Sequence, residues 1–303
     1  MEAAVPHGQG VVVGDQNTQL NVWVNGQRID AAALESRSPA SAADLVLKMP
    51  HDDAVNALVM MSPAASAEVT WVLLHRDEEF ALSALAGMHR SRCEPVVAAL
   101  VARMPWLDGL PAAAEAIDQL ELQPGSKLGD RIGGLTCARP SPQLTHGFSQ
   151  QYANGRIVWS PRGGACVMPE PFADYHAGRG GTAGRLGFPV SPVASATPSP
   201  KDNTTGEYQQ YESTWNYAAE TRKRLGRKCG ATVYKSARGV YATWGGIGEL
   251  YELEGGTGSW LGFPLSEELP AGRRGRWTTS PAPPAAASGS RAARCTGRSR
   301  PTP

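Results

Sequence analysis

The residues of this chain that could do chemistry are scattered along it rather than grouped. The sequence holds no G-x-S-x-G, H-E-x-x-H or Walker motif of the kind that positions a nucleophile, a zinc ion or a phosphate. His-Asp-Asp at 51–53 directly follows Pro50, where acidic residues favour the positive end of a helix dipole. We therefore expect a protein that is not an enzyme, with no catalytic residue, no metal and no cofactor.

Aromatic rings offer a different kind of site, because sugar rings stack on exposed tryptophan and tyrosine side chains. Four aromatic residues near glycine-rich turns are candidates for such a ligand site: Trp159, Tyr234, Trp244 and Trp260. Rings at alternating positions of short strands also serve as core residues. Both interpretations remain open from the sequence.

These rings belong to elements that occur twice. Leu186, Gly187, Phe188 and Pro189 reappear as Leu261, Gly262, Phe263 and Pro264, and each tetrapeptide follows a Gly-Gly-Thr. Glycine permits positive φ and proline fixes φ, so each copy predicts a turn with a buried phenylalanine ring. Gln-Gln-Tyr at 150–152 and 209–211 starts each copy, and the second copy carries a basic insertion between Tyr211 and Val233. Units this small must stack to share a core.

The recurring tetrapeptide, Gly-Gly and aromatic hairpin resemble the LGFP repeat, with two copies at about 147–192 and 207–268. The resemblance implies a β-rich binding module without catalytic residues, found in high-GC Gram-positive bacteria (actinobacteria). Such modules are often attached to cell-wall enzymes. The ligand that the resemblance implies is peptidoglycan or another envelope glycan.

The N-terminal stretch Val-Val-Val-Gly-Asp-Gln-Asn-Thr-Gln-Leu-Asn suggests assembly rather than ligand binding. A run of valines, low charge, and asparagine and glutamine side chains that can form ladders, with no proline, are typical of segments that stack in register. The stretch resembles bacterial amyloid-signalling motifs, which are similar to the RIP homotypic interaction motif. The resemblance places the assembly motif at Val11, Val13, Gly14, Asn17 and Gln19 within a β segment at 1–30, with a motif-matched partner binding through 11–26. An ordinary edge hairpin is the alternative.

Between these parts the pattern is helical. Apolar residues recur near a 3.6-residue period from 41 to 122, interrupted by prolines at helix starts, with Ser62 and Pro63 as a cap and first-turn pair. Glycine, proline and serine at 123–146 predict a linker. The fold class expected is therefore multidomain α+β: a short β segment, a helical domain, an LGFP repeat array and a tail.

The tail, 269–303, contains seven arginines and no acidic residue after Pro270, and its composition predicts disorder. A changed reading frame and a genuine basic tail both explain it. The rest of the chain is acidic, so no nucleic acid is expected as a partner. No apolar stretch is long enough for a membrane span, and no signal peptide is seen. The location expected is cytoplasmic, and the alternative is the cell envelope.

We expect a non-enzymatic adaptor whose repeats recognise a ligand and whose N-terminal motif drives homotypic assembly. The alternative function is an envelope protein anchored to the cell wall through its repeats.

Overall fold

The computed structural model describes residues 22–24, 27–123, 127–213, 230–270, 275–277 and 297–298. The assembly motif at Val11, Val13, Gly14, Asn17 and Gln19 lies outside these residues, as do nearly all of the basic insertion and most of the tail. The first described element is an antiparallel hairpin of β1 (Val22–Val24) and β2 (Gln27–Ile29), with Val22 opposite Ile29.

Short helices follow, and most begin at a proline or a capping side chain. They are α1 (Ala31–Glu35), α2 (Pro39–Val46), α3 (His51–Met60), α4 (Pro63–Arg76), α5 (Glu78–Ala86), α6 (Arg90–Val101) and α7 (Leu110–Glu121), with a 3₁₀ turn at Pro105–Gly109 before α7. Ser62 caps α4 by accepting the Ala65 N–H, and Asp52 and Asp53 lie in the first turn of α3. Helical structure begins at Ala31, earlier than the predicted 41, because Asp30 caps α1.

A strand, β3 (Arg131–Ala138), lies within the predicted linker. It pairs with β4 (Gly147–Tyr152), and β5 (Gly155–Ser160) and β6 (Gly164–Pro169) complete an antiparallel sheet of order β3-β4-β5-β6. The glycines that indicated a linker form an irregularity in this strand, where Gly133 has φ +66° and the Gly134 N–H donates to Glu79 Oε1 at 2.8 Å. The segment therefore joins the repeat sheet to α5.

The second sheet repeats the first. Its strands are β7 (Ala194–Ser195), β8 (Gly206–Tyr211), β9 (Ala231–Ser236) and β10 (Gly239–Trp244), in the order β7-β8-β9-β10. A helix follows the last strand of each sheet, α8 (Glu170–Ala177) and α9 (Gly245–Leu253), and a 3₁₀ turn at Gly181–Ala183 or Gly256–Gly258 follows each helix. The Leu-Gly-Phe-Pro turn comes next in both units. We call these the first and second repeat units.

Strand pairing fixes which residues of the two units correspond. Phe148 pairs with Trp159 in the first sheet, and the corresponding pair in the second is Glu207 with Lys235. Trp159 therefore corresponds to Lys235, not to Tyr234, which an even spacing of the two hairpins would suggest. The hairpin turn after β9 is one residue shorter than the turn after β5.

Each Leu-Gly-Phe-Pro turn places its ring on the first glycine of its own unit. A Cβ added at Gly147 would lie 2.6 Å from the Phe188 ring, and one at Gly206 would lie 2.7 Å from the Phe263 ring. Both sites would also meet the carbonyl of the neighbouring strand. Since no side chain fits there, glycine is required at this position of both units.

One hydrophobic core continues from the helices into the first sheet. Its buried residues include Leu34 and Leu82 from the helices and Phe148, Ile157 and Trp159 from the sheet. Two smaller clusters lie in the repeats, around Phe188 and around Phe263. The helical segment and the first repeat unit thus share their interior.

Short strands also occur within the predicted disordered tail: β11 (Leu269–Pro270), β12 (Gly275–Trp277) and β13 (Gly297–Arg298) form a small antiparallel sheet. The backbone pairing of β11 with β12 gives this part of the tail a fixed register. None of the helices in the described part of the chain is long and apolar enough to cross a membrane.

Candidate ligand-binding cleft

An open cleft of about 840 Å³ lies between the helical segment and the first repeat unit. The 3₁₀ turn Pro105–Gly109 forms one wall, and the loop at 144–146 with the turn after β5 forms the other. Its lining side chains combine apolar rings with charged groups: Trp106, Asp108, Leu144, His146, Trp159 and Arg162. Sites for small ligands commonly have this composition, an apolar floor with a few polar groups at the edge.

A row of aromatic rings runs from Trp106 to Trp159, which line the cleft, through Phe148, which is buried behind them. The Trp106 and Phe148 ring centroids are 6.2 Å apart, and those of Phe148 and Trp159 are 6.0 Å apart. Gly109 allows the helical segment to approach, because a Cβ there would lie 2.6 Å from the Trp159 ring. Phe148 and Trp159 are buried by this contact, whereas Trp106 is half-buried and Asp108 is exposed. Packing between the helical segment and the first sheet therefore explains Phe148 and Trp159. Trp106 is the ring of this row that a ligand in the cleft could reach.

Leu144, at the rim, is held in an unfavourable conformation while facing solvent. Its φ is +61° and its side chain is 80% exposed. The left-handed region is costly for a leucine. The corresponding residue of the second unit is Asn203, with φ +52°, a residue type that tolerates this region. An exposed leucine in this conformation gains little from packing to offset the backbone strain.

Hydrogen bonds connect the Leu144 loop to the first Leu-Gly-Phe-Pro turn. The Thr145 hydroxyl donates to Glu212 Oε2 at 2.8 Å, and Glu212 Oε1 accepts the Phe188 N–H at 3.1 Å. Gln143 also donates from its side-chain amide to the Ser213 carbonyl. Glu212 is buried. The turn therefore positions one wall of the cleft as well as packing its own ring.

The equivalent surface of the second unit is polar. Lys235 Nζ lies 2.9 Å from Glu207 Oε2, and Arg238 Nη2 lies 2.5 Å from Asp202 Oδ2. Lys235 and Glu207 occupy the positions of Trp159 and Phe148. Ion pairs thus replace the aromatic floor, and the cleft is particular to the first unit among the described residues.

The four aromatic candidates from the sequence do not form one site. Trp159 lies in the cleft. Tyr234 is buried with Tyr251 and Phe263, and Trp244 is buried against the first unit with the Arg185 guanidinium 4.4 Å from its ring centroid. Trp260 is 43% exposed. Sequence reasoning missed Trp106 and Leu144. Aligning Leu144 with Asn203 could have identified Leu144, because the two Gln-Gln-Tyr strands place them at the same position.

A Ser-His-Asp arrangement occurs at a second, smaller cavity of about 100 Å³. His51 Nε2 lies 3.0 Å from Ser83 Oγ, and His51 Nδ1 lies 3.4 Å from Asp52 Oδ1. Asp52 is the neighbouring residue and its carboxylate is 99% exposed, so it holds the imidazole only weakly. The Gly134 N–H beside Ser83 already donates to Glu79. The contact therefore serves best as a link between α3 and α5.

The cysteine thiols of the described residues are chemically quiet. Burial raises the pKa of Cys93 to about 12 and the pKa values of Cys137 and Cys166 to about 11. Since the thiolate is the reactive form, these groups are poor nucleophiles and poor metal ligands at neutral pH.

No protein-family model matches the chain, and no curated protein matches it in sequence.

Proposed function

We propose that the chain is a non-enzymatic binding protein whose ligand enters the cleft between the helical segment and the first repeat unit. The observation that carries this proposal is Leu144, an exposed leucine in the left-handed region at the rim of that cleft. Its equivalent, Asn203, is a residue type that tolerates the same backbone, and we attribute the leucine to a contact with the ligand.

The chemistry of the cleft favours a sugar with charged substituents. Trp106 offers a ring face on which a pyranose can stack, and Leu144 offers an apolar contact on the opposite wall. Asp108 and Arg162 supply one charge of each sign at the edge. Peptidoglycan fragments combine acetylated sugars with amino and carboxyl groups on their stem peptides, which makes them the first ligand to test.

The test is a titration of the full chain with a soluble disaccharide-tetrapeptide of peptidoglycan. Binding is measured by isothermal calorimetry and by the change in tryptophan fluorescence. We expect saturable binding that Trp106→Ala weakens about tenfold. Trp260→Ala, which removes an exposed tryptophan from the second unit, is the matched control and should leave the affinity unchanged. Absence of binding, or equal loss in both variants, would reject the cleft as the glycan site.

The second part of the proposal is homotypic assembly through the N-terminal motif, in a protein located in the cytoplasm. The valines and the asparagine and glutamine side chains of residues 11–26 carry it. A peptide of residues 11–26 should form fibrils that bind thioflavin, and its Gly14→Pro variant should not. If neither peptide forms fibrils, the envelope-anchoring alternative, in which the repeats attach the protein to the cell wall, becomes the better description.

A further inference from the structure

The smaller cavity, of about 100 Å³, lies where the helical segment meets the first sheet. Its walls come from α3, α5 and α7 on one side and from β3 and β4 on the other. His51, Gly87, Asp118 and Arg131 line it and are exposed, so they form its mouth. Gln150 lines it with only 1% of its surface exposed, so it forms the closed end. A buried polar side chain therefore lies at the bottom of a cavity that opens to solvent.

The side-chain amide of Gln150 is held in one orientation. Its Nε2 donates to the carbonyls of Ile132 at 3.3 Å, Gly133 at 3.1 Å and Gln151 at 3.1 Å. The irregularity of β3 brings the first two carbonyls close, because residues 133–135 all face Gln150 across the sheet. Turning the amide over would place its oxygen against these carbonyls. The oxygen Oε1 accepts no hydrogen bond from the described residues, and it is the polar group that Gln150 offers to the cavity.

The second repeat unit contains the same glutamine with its oxygen satisfied. Gln209 occupies the position of Gln150, and its Oε1 accepts a hydrogen bond from the Tyr211 hydroxyl at 2.8 Å. In the first unit the corresponding Tyr152 hydroxyl donates instead to Glu121 Oε2 at 3.3 Å, in the helical segment. Since a buried acceptor without a donor costs free energy, the Gln150 oxygen requires a donor from a molecule in the cavity.

The other polar groups of the cavity also favour an occupant that donates. Arg131 Nη2 donates to Asp118 Oδ1 at 2.9 Å and to Glu121 Oε2. One guanidinium is therefore shared by two carboxylates, which leaves an excess of negative charge at the mouth. The Ser83 hydroxyl oxygen lines the cavity as a further acceptor. Acceptors together with negative charge favour a cation that carries several N–H groups.

The size of the cavity limits the occupant to a few atoms. An engineered cavity of about 150 Å³ holds benzene, so a volume of about 100 Å³ corresponds to about four non-hydrogen atoms. The remaining wall is apolar and includes Ala86, Ala114, Ile117 and Leu135. A short alkyl chain therefore fits beside the polar groups.

We propose that this cavity binds a small primary ammonium compound. Its ammonium group donates to Gln150 Oε1 and Ser83 Oγ, its positive charge is balanced by Asp118, and its alkyl chain packs against the alanines of α5 and α7. The proposal is independent of the ligand in the larger cleft, because the two sites share none of their described lining residues.

Thermal unfolding of the full chain in increasing ethanolammonium chloride tests the proposal, with sodium chloride added to keep the ionic strength constant. A ligand that binds only the folded state raises the unfolding temperature, and the size of the rise gives the dissociation constant. We expect a rise that a single-site binding curve describes. Ethylene glycol has a similar shape and no charge, and it should bind about tenfold more weakly. In the Ala114→Leu variant, whose larger side chain fills the cavity, ethanolammonium should cause no rise.

Two variants of α7 distinguish the cavity from the helix surface. Asp118→Asn removes the charge at the mouth and should weaken ethanolammonium binding about tenfold. Glu115→Gln is the matched control, because it removes a charge of the same sign from an ion pair with Arg90, outside the cavity. It should bind as the unaltered chain does.

Three results would overturn the proposal. If ethanolammonium does not raise the unfolding temperature of the unaltered chain, the cavity holds water only. An equal rise with ethylene glycol would show that the charge is not recognised. A rise that persists in Ala114→Leu, or equal weakening in Asp118→Asn and Glu115→Gln, would place the binding outside the cavity.

Discussion

The imidazole of His176 and the phenol of Tyr251 do the same work in the two repeat units. His176 Nε2–H donates to the Gly187 carbonyl at 2.8 Å, and the Tyr251 hydroxyl donates to the Gly262 carbonyl at 2.7 Å. Both side chains are buried, and both glycines have positive φ, at +67° and +62°. Each bond fixes the backbone of the turn that carries the phenylalanine.

His176 makes the stability of the protein depend on pH in a way that Tyr251 does not. Burial is the main reason that the pKa of His176 is lowered to about 4, and the nearby Arg156 charge adds to it. In the unfolded chain a histidine titrates near 6.5, so the unfolded state binds the proton first as the pH falls. The neutral imidazole therefore contributes fully to the free energy of unfolding above about pH 6.5, and this contribution is lost as the pH falls toward about 4.

We predict that this group alone lowers the free energy of unfolding by about 2 kcal/mol between pH 7.5 and pH 5. The measurement is urea unfolding at both values. In the His176→Tyr variant, which installs the residue that the second unit uses, the difference between the two values should shrink by that amount. An unchanged pH dependence in the variant would show that other groups cause it.

Leu144 and Asn203 can be exchanged to separate strain from function. Leu144→Asn should raise the free energy of unfolding by about 1 kcal/mol, because asparagine tolerates the left-handed region. Asn203→Leu should lower it by a similar amount. Calorimetric unfolding of both variants gives these values.

The affinity of the same two variants for the peptidoglycan fragment tests whether Leu144 contacts the ligand. Leu144→Asn should weaken binding of the peptidoglycan fragment in spite of its greater stability, whereas Asn203→Leu should not affect it. Unaltered affinity in Leu144→Asn would remove the argument that the leucine is kept for a ligand.

The first glycine of each unit should be intolerant of any side chain. We expect Gly147→Ala and Gly206→Ala each to lower the free energy of unfolding by about 3 kcal/mol, because the added methyl group meets a phenylalanine ring and a carbonyl. Gly246→Ala is the control, since a Cβ there has no atom within 4 Å and the residue lies in α9. It should be neutral or slightly stabilising. Denaturant unfolding of the three variants compares them directly.

Glu212 should contribute both to stability and to the cleft wall. Glu212→Ala leaves the buried Phe188 N–H without its carboxylate, and we expect a loss of about 2 kcal/mol together with weaker ligand binding. Glu207→Ala breaks a half-exposed ion pair between Glu207 on β8 and Lys235 on β9 and should cost less than about 1 kcal/mol. Chemical denaturation of the two variants compares these losses. Equal losses would contradict the prediction, because Glu212 would then stabilise the turn no more than the Glu207 ion pair stabilises the second unit.

The helices and the repeats were accessible from the sequence because their signals are local. Pro63 with Ser62, and the glycines after α8, mark element ends by chemistry that acts within a few residues. β3 was missed because Gly133 and Gly134 interrupt the alternation of the strand, and their role depends on Glu79, more than fifty residues earlier.

The cleft could not be predicted in the same way. Trp106 and Trp159 come together only because the helical segment packs on the first sheet at Gly109, and nothing near either residue indicates that contact. The correspondence of Trp159 with Lys235 likewise required the strand register. A sequence alignment of the two units at a constant spacing does not reveal that the turn after β9 is one residue shorter than the turn after β5.

The core shared by the helical segment and the first sheet limits how this protein can be rearranged by recombination. The repeats look like interchangeable modules, yet excising them at Gly147 would uncover Phe148 and Trp159 and remove β3 from the edge of β4. A gene fusion that borrowed the repeats alone would therefore inherit an adhesive, aggregation-prone surface. The smallest portable piece therefore includes the helices as well as both units, because residues of the second unit, among them Tyr211 and Trp244, share a core with Phe188 of the first.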